Sequence, residues 1–307
     1  MTRYIFRRLL QFFPVVICAT FLIFAMVFAI PGDPIRALAG DRPLPDAVVE
    51  SLREEYNLND PLIVQYFKYL GGLVTGDFGT TFQGRPVTDI IAQRLPVTLN
   101  LALLATAFQT VIGLVAGTLA AIYQDRFIDR LVQVTTVIVV SIPILAIAFF
   151  AQLVLGLQLG WFPIAGVNDG LMSYVLPAFV LASTSLALIA RLLRNSLVES
   201  LNSDYIRTAT AKGLTRSRVV GVHGMRNALI PVVTFIGADL ATMLGGSIIT
   251  ETVFNLPGLG NQVFQSIQSQ EGTVVVGLVT LMVLFFVVVN LLVDIAYAFL
   301  APRIRYE

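Results

Sequence analysis

Across 307 residues there is one cysteine, Cys18, one histidine, His223, and one tryptophan, Trp161. A lone cysteine excludes an intrachain disulfide framework and a cysteine metal cluster. A lone histidine cannot share a zinc ion with a second one. His223 follows Val219, Val220 and Val222 and reads as a structural or interface residue. Cys18 sits in an apolar run and reads as a small hydrophobe. Lysine is nearly as scarce, with only Lys68 and Lys212. A phosphate-binding P-loop needs Gly-Lys-Ser/Thr, but Lys68 follows Phe67 and Lys212 follows Ala211. Any ATP that drives this protein must be hydrolysed on another polypeptide.

Charge is the other shortage. Charged residues make up 13% of the chain against 56% hydrophobic ones. Soluble domains carry about twice that charge. The composition is that of an all-α polytopic membrane protein.

Residues 1–8 are basic, and 9–30 carry no charge, long enough to cross a bilayer. The run is too long for a signal peptide and Pro31-Gly32-Asp33-Pro34 is no cleavage site, so a retained first span is expected. Residues 31–94 are the one sizeable polar region, expected as an extracytoplasmic cap. Within it, 46–58 has an amphipathic pattern with Val48, Val49, Leu52 and Tyr56 on one side. The stretch 61–76 reads as a helix at the membrane surface, its Tyr66, Phe67, Tyr69 and Leu70 suited to an interface. Five further apolar stretches follow, at 95–122, 131–155, 171–190, 227–250 and 273–293, giving six spans in all. The core is expected over 95–300, with a short tail at 301–307. Pro143 and Pro177 fall inside spans, where neighbouring helices re-satisfy freed carbonyls. Trp161 ends one span at an interface.

With this span count, fourteen Lys and Arg residues fall on one side and six on the other, all six in 31–94. The positive-inside rule then places both termini and the loop around Gly213 in the cytoplasm. That loop is the sharpest local signal. It reads DYIRTATAKGL over 204–214, with Asp204, Tyr205, Arg207, Thr208, Ala209, Ala211 and Lys212 ahead of Gly213. Gly213 can take the left-handed conformation that closes a helix. Thr215 is placed to cap a second short helix running from Arg216 towards His223. Thr208, Ala209 and Ala211 are small and leave a surface that a partner can approach. A basic lipid-binding segment is the bland alternative, but Glu199 and Asp204 interrupt the charge.

The segments RTATAKGL and VVGVHGMRNALIPVV resemble the cytoplasmic coupling loop of bacterial ABC-importer permeases. The family pattern is Glu-Ala-Ala, three residues, Gly, nine residues, then Ile-x-Leu-Pro. Gly213 and Ala209 fit it; Arg207 and Thr208 occupy the Glu and first Ala slots, and His223 to Arg226 the last four. Those departures, with Arg7-Arg8 before the first span and Pro31 to Pro34 after it, resemble the dipeptide/oligopeptide branch, B-type subunit. The resemblance covers nearly the whole chain. It implies a type I importer (MetI-like) permease fold in the bacterial plasma membrane. It also implies a second homologous permease, two ABC ATPase subunits docking on 204–226, and an extracytoplasmic substrate-binding protein. The chain itself would be no enzyme, holding no cofactor or metal, with ATP and magnesium on the ATPases. Membrane lipid surrounds it and no nucleic acid is expected. Short peptides are the expected cargo; haem or a metal chelate is the alternative within the family.

Several intramembrane polar residues are candidates for the pathway. Asp239 lies near a span centre, where a carboxylate is costly and often functional, or is hydrogen-bonded inside the bundle. Gln109, Gln133 and Gln152 line a pathway only where their helix faces point inward. Gly245, Gly246 and Ser247 allow close helix packing. The stretch 251–267 is expected as an external loop, with a turn or gate at Pro257, Gly258 and Gly260. Two other classes stand as rivals. An intramembrane enzyme needs paired acids, but Asp239 and Asp294 fall at opposite depths. An ion-driven secondary transporter needs an inverted repeat, and none is visible.

Overall fold

The computed structural model describes residues 2–28, 45–55 and 59–300. The Pro31 to Pro34 motif, Tyr56 and the tail after 300 lie outside the described residues, as do the side chains of Arg7, Arg8, Leu52 and Asp294 and the surroundings of Gly246.

The described chain is helical, with one isolated bridge between Thr80 and Pro86. In chain order the elements are α1 (Thr2–Phe28), α2 (Asp46–Glu55), α3 (Leu62–Val74) and α4 (Val87–Ile122). Next come α5 (Phe127–Ser141) and α6 (Ile144–Ala151), which runs on as a π-helical turn, Gln152–Gln158. Then come α7 (Met172–Leu201), α8 (Asp204–Ala211) and α9 (Arg216–Arg218), which leads into a second π turn, Val219–Gly224. The described residues finish with α10 (Met225–Val253), α11 (Leu259–Gln268) and α12 (Gly272–Leu300).

Among the described residues, five helices are long and apolar enough to cross a membrane, and a bent pair brings the number to six. That pair corrects one expectation. The stretch 131–155 is not one helix: α5 and α6 meet at 102°. Ile142 precedes proline and takes extended backbone (φ −93°, ψ 128°), because the proline ring clashes with a helical neighbour. Pro143 then starts α6, at the break within the bent pair. Pro177 does lie within α7, as do Pro96 and Pro231 within α4 and α10.

The most extensive contact is between α4 and α7. Two glycines set its closeness. A Cβ on Gly117 would fall 2.6 Å from the Ala190 carbonyl oxygen, and one on Gly113 would fall 2.7 Å from Ile189. Small residues let backbones approach where lipid gives no hydrophobic drive between helices. Around this seam α10 packs on α7 and α12, and α5 packs on α7. Thr106 lies against Met243 and Thr118 against Met225, so α4 and α10 run antiparallel.

α1 stands at the edge of the bundle, against α12 and α3. The aromatic residues of α3 do more than sit at an interface. Tyr66 is buried, its hydroxyl donating to the Ile17 carbonyl (3.0 Å) and 2.9 Å from Thr20 Oγ1. Phe21 and Phe24 meet its ring edge-on. Phe67, by contrast, is exposed. On α2, Val49 is buried but Val48 is exposed, so the expected apolar side is narrower.

Candidate functional site

The polar segment at 204–214 folds as a short helix with a built stop. Gly213 has φ +78°, and its N–H donates to the Thr210 carbonyl (2.9 Å). The Leu214 N–H reaches back to the Ala209 carbonyl (3.4 Å). This pair of bonds is a Schellman closure, and its usual apolar contact is present: Leu214 packs with Ile206, Ala209 and Val219. Thr215 stands at the N-cap of α9, but its side chain makes no capping bond. α9 is one turn that continues through the π turn into α10, so no separate second helix runs towards His223.

The exposed face of α8 carries Asp204, Arg207, Thr208 and Ala211, followed by Lys212. Arg207 and Asp204 form a pair at 3.4 Å that is almost wholly solvated, and such pairs contribute little. Ala209 corrects the sequence reading: it is buried under α8 and forms no part of that face. Tyr205 anchors the segment. Its hydroxyl hydrogen-bonds Ser200 at the end of α7, and Ser200 donates to the Gly224 carbonyl (3.0 Å). Partial burial pushes the Tyr205 hydroxyl up, but hydrogen bonds with Ser200, Asn227 and Ser203 outweigh it and hold it below the usual tyrosine range. His223 is half-buried on the π turn and Arg226 is exposed. The arrangement is a short helix braced from beneath on the ends of two long helices, presenting a solvated mixed-charge face.

The intramembrane candidates do not come together as one lining. Asp239 accepts from Ser185 (3.0 Å) and Thr242 (3.2 Å) through Oδ1, so it is bonded inside the bundle. Gln109 is fully buried in α4 and faces no open space. Gln133 is exposed and donates to Asp129 (2.8 Å). Gln152 bridges the Ile164 carbonyl (2.7 Å) and the Val253 carbonyl (3.2 Å), pinning the first π turn to the end of α10. Gly245 has open space at its Cβ position, so no close helix packing within this chain depends on it.

Two buried carboxylates escaped the sequence reading. Asp129 is held by Arg194, at 3.0 Å from Nε and 2.7 Å from Nη2, with the Asp125 N–H at 2.9 Å. The pair joins α5 to α7 and is largely shielded. Glu251 is fully buried at the end of α10, so the stretch from 251 is not all external loop. Helix α10 runs to Val253, and the following turn folds back with Gly258 and Gly260 buried and Pro257 half-buried. That turn opens α11, which packs on α4, α10 and α12.

A family model described as binding-protein-dependent transport system inner membrane component matches residues 113–306, and its N-terminal companion matches residues 1–102. The chain is 39% identical over 317 residues to the oligopeptide transport system permease protein AppB of Bacillus subtilis (strain 168), with all of both chains covered. It is 40% identical over 309 residues to the glutathione transport system permease protein GsiC of Escherichia coli (strain K12), again with full coverage of both. Among solved structures, an inward-facing conformation of the MetNI methionine ABC transporter is similar in fold, with TM-score 0.59 and 22% identity. That match covers 69% of this chain and 97% of the other.

Proposed function

This chain belongs to the family of binding-protein-dependent transport system inner membrane components, and from that membership we propose that it is the permease subunit of an ATP-driven importer of short peptides. The carrying observation is the full-length similarity to permeases named for oligopeptide and for glutathione transport, both peptides. Those names favour a peptide cargo over haem or a metal chelate.

A P-loop is missing from the sequence, so ATP and magnesium belong to partner subunits and the chain is a conduit, not an enzyme. Helix α8 is the part best built to receive push from such a partner. It is solvated on one face and tied by Tyr205 to α7 and to the π turn that starts α10. Displacement of α8 is therefore passed to two spans at once. The excess of Arg and Lys at that end supports a cytoplasmic location for it and for both termini, in a bacterial inner membrane. A second homologous permease completes the pathway, and an extracytoplasmic binding protein delivers cargo to the cap end.

The test is uptake by the purified complex in liposomes, with ATP enclosed and labelled trialanine or glutathione outside. Accumulation should require both ATP and the binding protein. Accumulation driven by a proton or sodium gradient without ATP would overturn it.

A further inference from the structure

Glu251 is a carboxylate with no exposed surface, placed where three helices meet. Its Oε1 accepts from Thr98 Oγ1 on α4 at 2.7 Å, and its Oε2 accepts from the Asn261 N–H on α11 at 3.0 Å. The Ser247 hydroxyl and the Gly260 N–H also donate to it. Thr98 is itself engaged twice, because its oxygen accepts from the Leu259 N–H at 2.8 Å. Asn261 closes the knot by donating to the Leu256 carbonyl at 2.9 Å. The turn is pressed onto this carboxylate. A Cβ on Gly258 would fall 2.4 Å from the Glu251 carboxyl group, and one on Gly260 would fall 2.7 Å from the Ile248 Cα. Both glycines are demanded by closeness, since Gly258 has an ordinary backbone (φ −97°).

Every partner named here is a neutral donor, so the carboxyl group is held without a counter-ion. Burying a carboxylate in that way is costly, and apolar packing would hold a turn more cheaply. A glutamine fits less well: with its oxygen accepting from the Asn261 N–H, its NH2 group faces Thr98 Oγ1, which already accepts from the Leu259 N–H.

We propose that Glu251 is the positioning residue of the substrate-side gate: its carboxylate clamps the turn at 254–258 and α11 onto α4 and α10, so that the gate moves with those helices as one body. This rests on the importer reading above, in which cargo arrives at the cap end. The carboxylate makes the gate answer to helix motion; without it, the segment and the helices move separately.

The experiment uses the intact complex purified with its associated subunits, carrying Glu251→Gln, Thr98→Val or Thr98→Ser. ATP hydrolysis is measured with and without the binding protein loaded with trialanine. For Glu251→Gln and Thr98→Val, hydrolysis without the binding protein stays at the wild-type level. Stimulation by the loaded binding protein falls at least about 5-fold, the lower end of ordinary coupling between sites. Thr98→Ser, which keeps both the donor and the acceptor, restores stimulation. Should Glu251→Gln fail to assemble, the Thr98 pair decides alone. Stimulation that survives Thr98→Val, or basal and stimulated rates that fall in proportion, would overturn the inference. An unmutated complex without ATP-driven uptake would instead overturn the importer reading, and this inference with it.

Discussion

Asp129 and Arg194 bring opposite charges together across 65 residues of sequence, at the junction of α5 and α7. Removing one partner strands the other, whereas replacing both with apolar groups does not. Asp129→Asn is expected to lower stability by about 3 kcal/mol, and the pair Asp129→Leu with Arg194→Met to recover most of the loss. Thermal midpoints of the detergent-solubilised complex check this; equal losses in the single and the double variant would show that the pair is not coupled. Neither residue announces its role in the sequence. Periodicity links residues three or four apart on a helix, and nothing local links Asp129 to a residue on another span. Glu251 is hidden for a different reason. A charge at the end of an apolar run looks like the end of a span, and only the folded turn shows that the chain returns to cover it. Gly213 is the opposite case. Its helix-stopping role follows from its own backbone freedom and its immediate neighbours, so it is legible at once.

At the scale of elements, the apolar runs forecast the long helices well, because burial in lipid forces every backbone group into internal bonds. The break in 131–155 is visible only as Pro143. Proline is tolerated inside α4, α7 and α10, so its presence does not say which helix will fold over. What the α4–α7 seam requires is a glycine at 117. Gly117→Leu would wedge the two backbones apart, costing about 1–3 kcal/mol as overpacking does. Gly245→Ala meets nothing within 4 Å and should not lower the midpoint. A Gly117→Leu complex as stable as the parent would contradict the close approach. Helix α8 gives a second contrast. Thr208→Trp enlarges the exposed face and should uncouple ATP hydrolysis from uptake while leaving assembly intact. Ala209→Trp intrudes beneath the helix, against Ile206 and Val219, and should lower the yield of folded complex as well. Identical behaviour of the two variants would count against the burial of Ala209.

The whole molecule is a bundle with unlike ends. One end carries α3 with the start of α12 and the turn into α11; the other carries α8, the π turn before α10 and most of the cations. That asymmetry is the physical basis for the orientation inferred here. In a Cys18→Ser background, Lys212→Cys should react with a membrane-impermeant maleimide only in inside-out vesicles, and Ser269→Cys only in right-side-out ones. The reverse pattern would invert the topology. As the importer permease proposed above, this chain is one part of a larger ATP-driven machine. Its most direct test is the mass and composition of the complex purified from native membranes in mild detergent through a tag on this chain. That complex should hold one copy of this chain, one homologous permease and two ATPase subunits, with the binding protein associating at the cap end. A chain recovered alone or as a homomer, still transporting peptide without ATP, would contradict it.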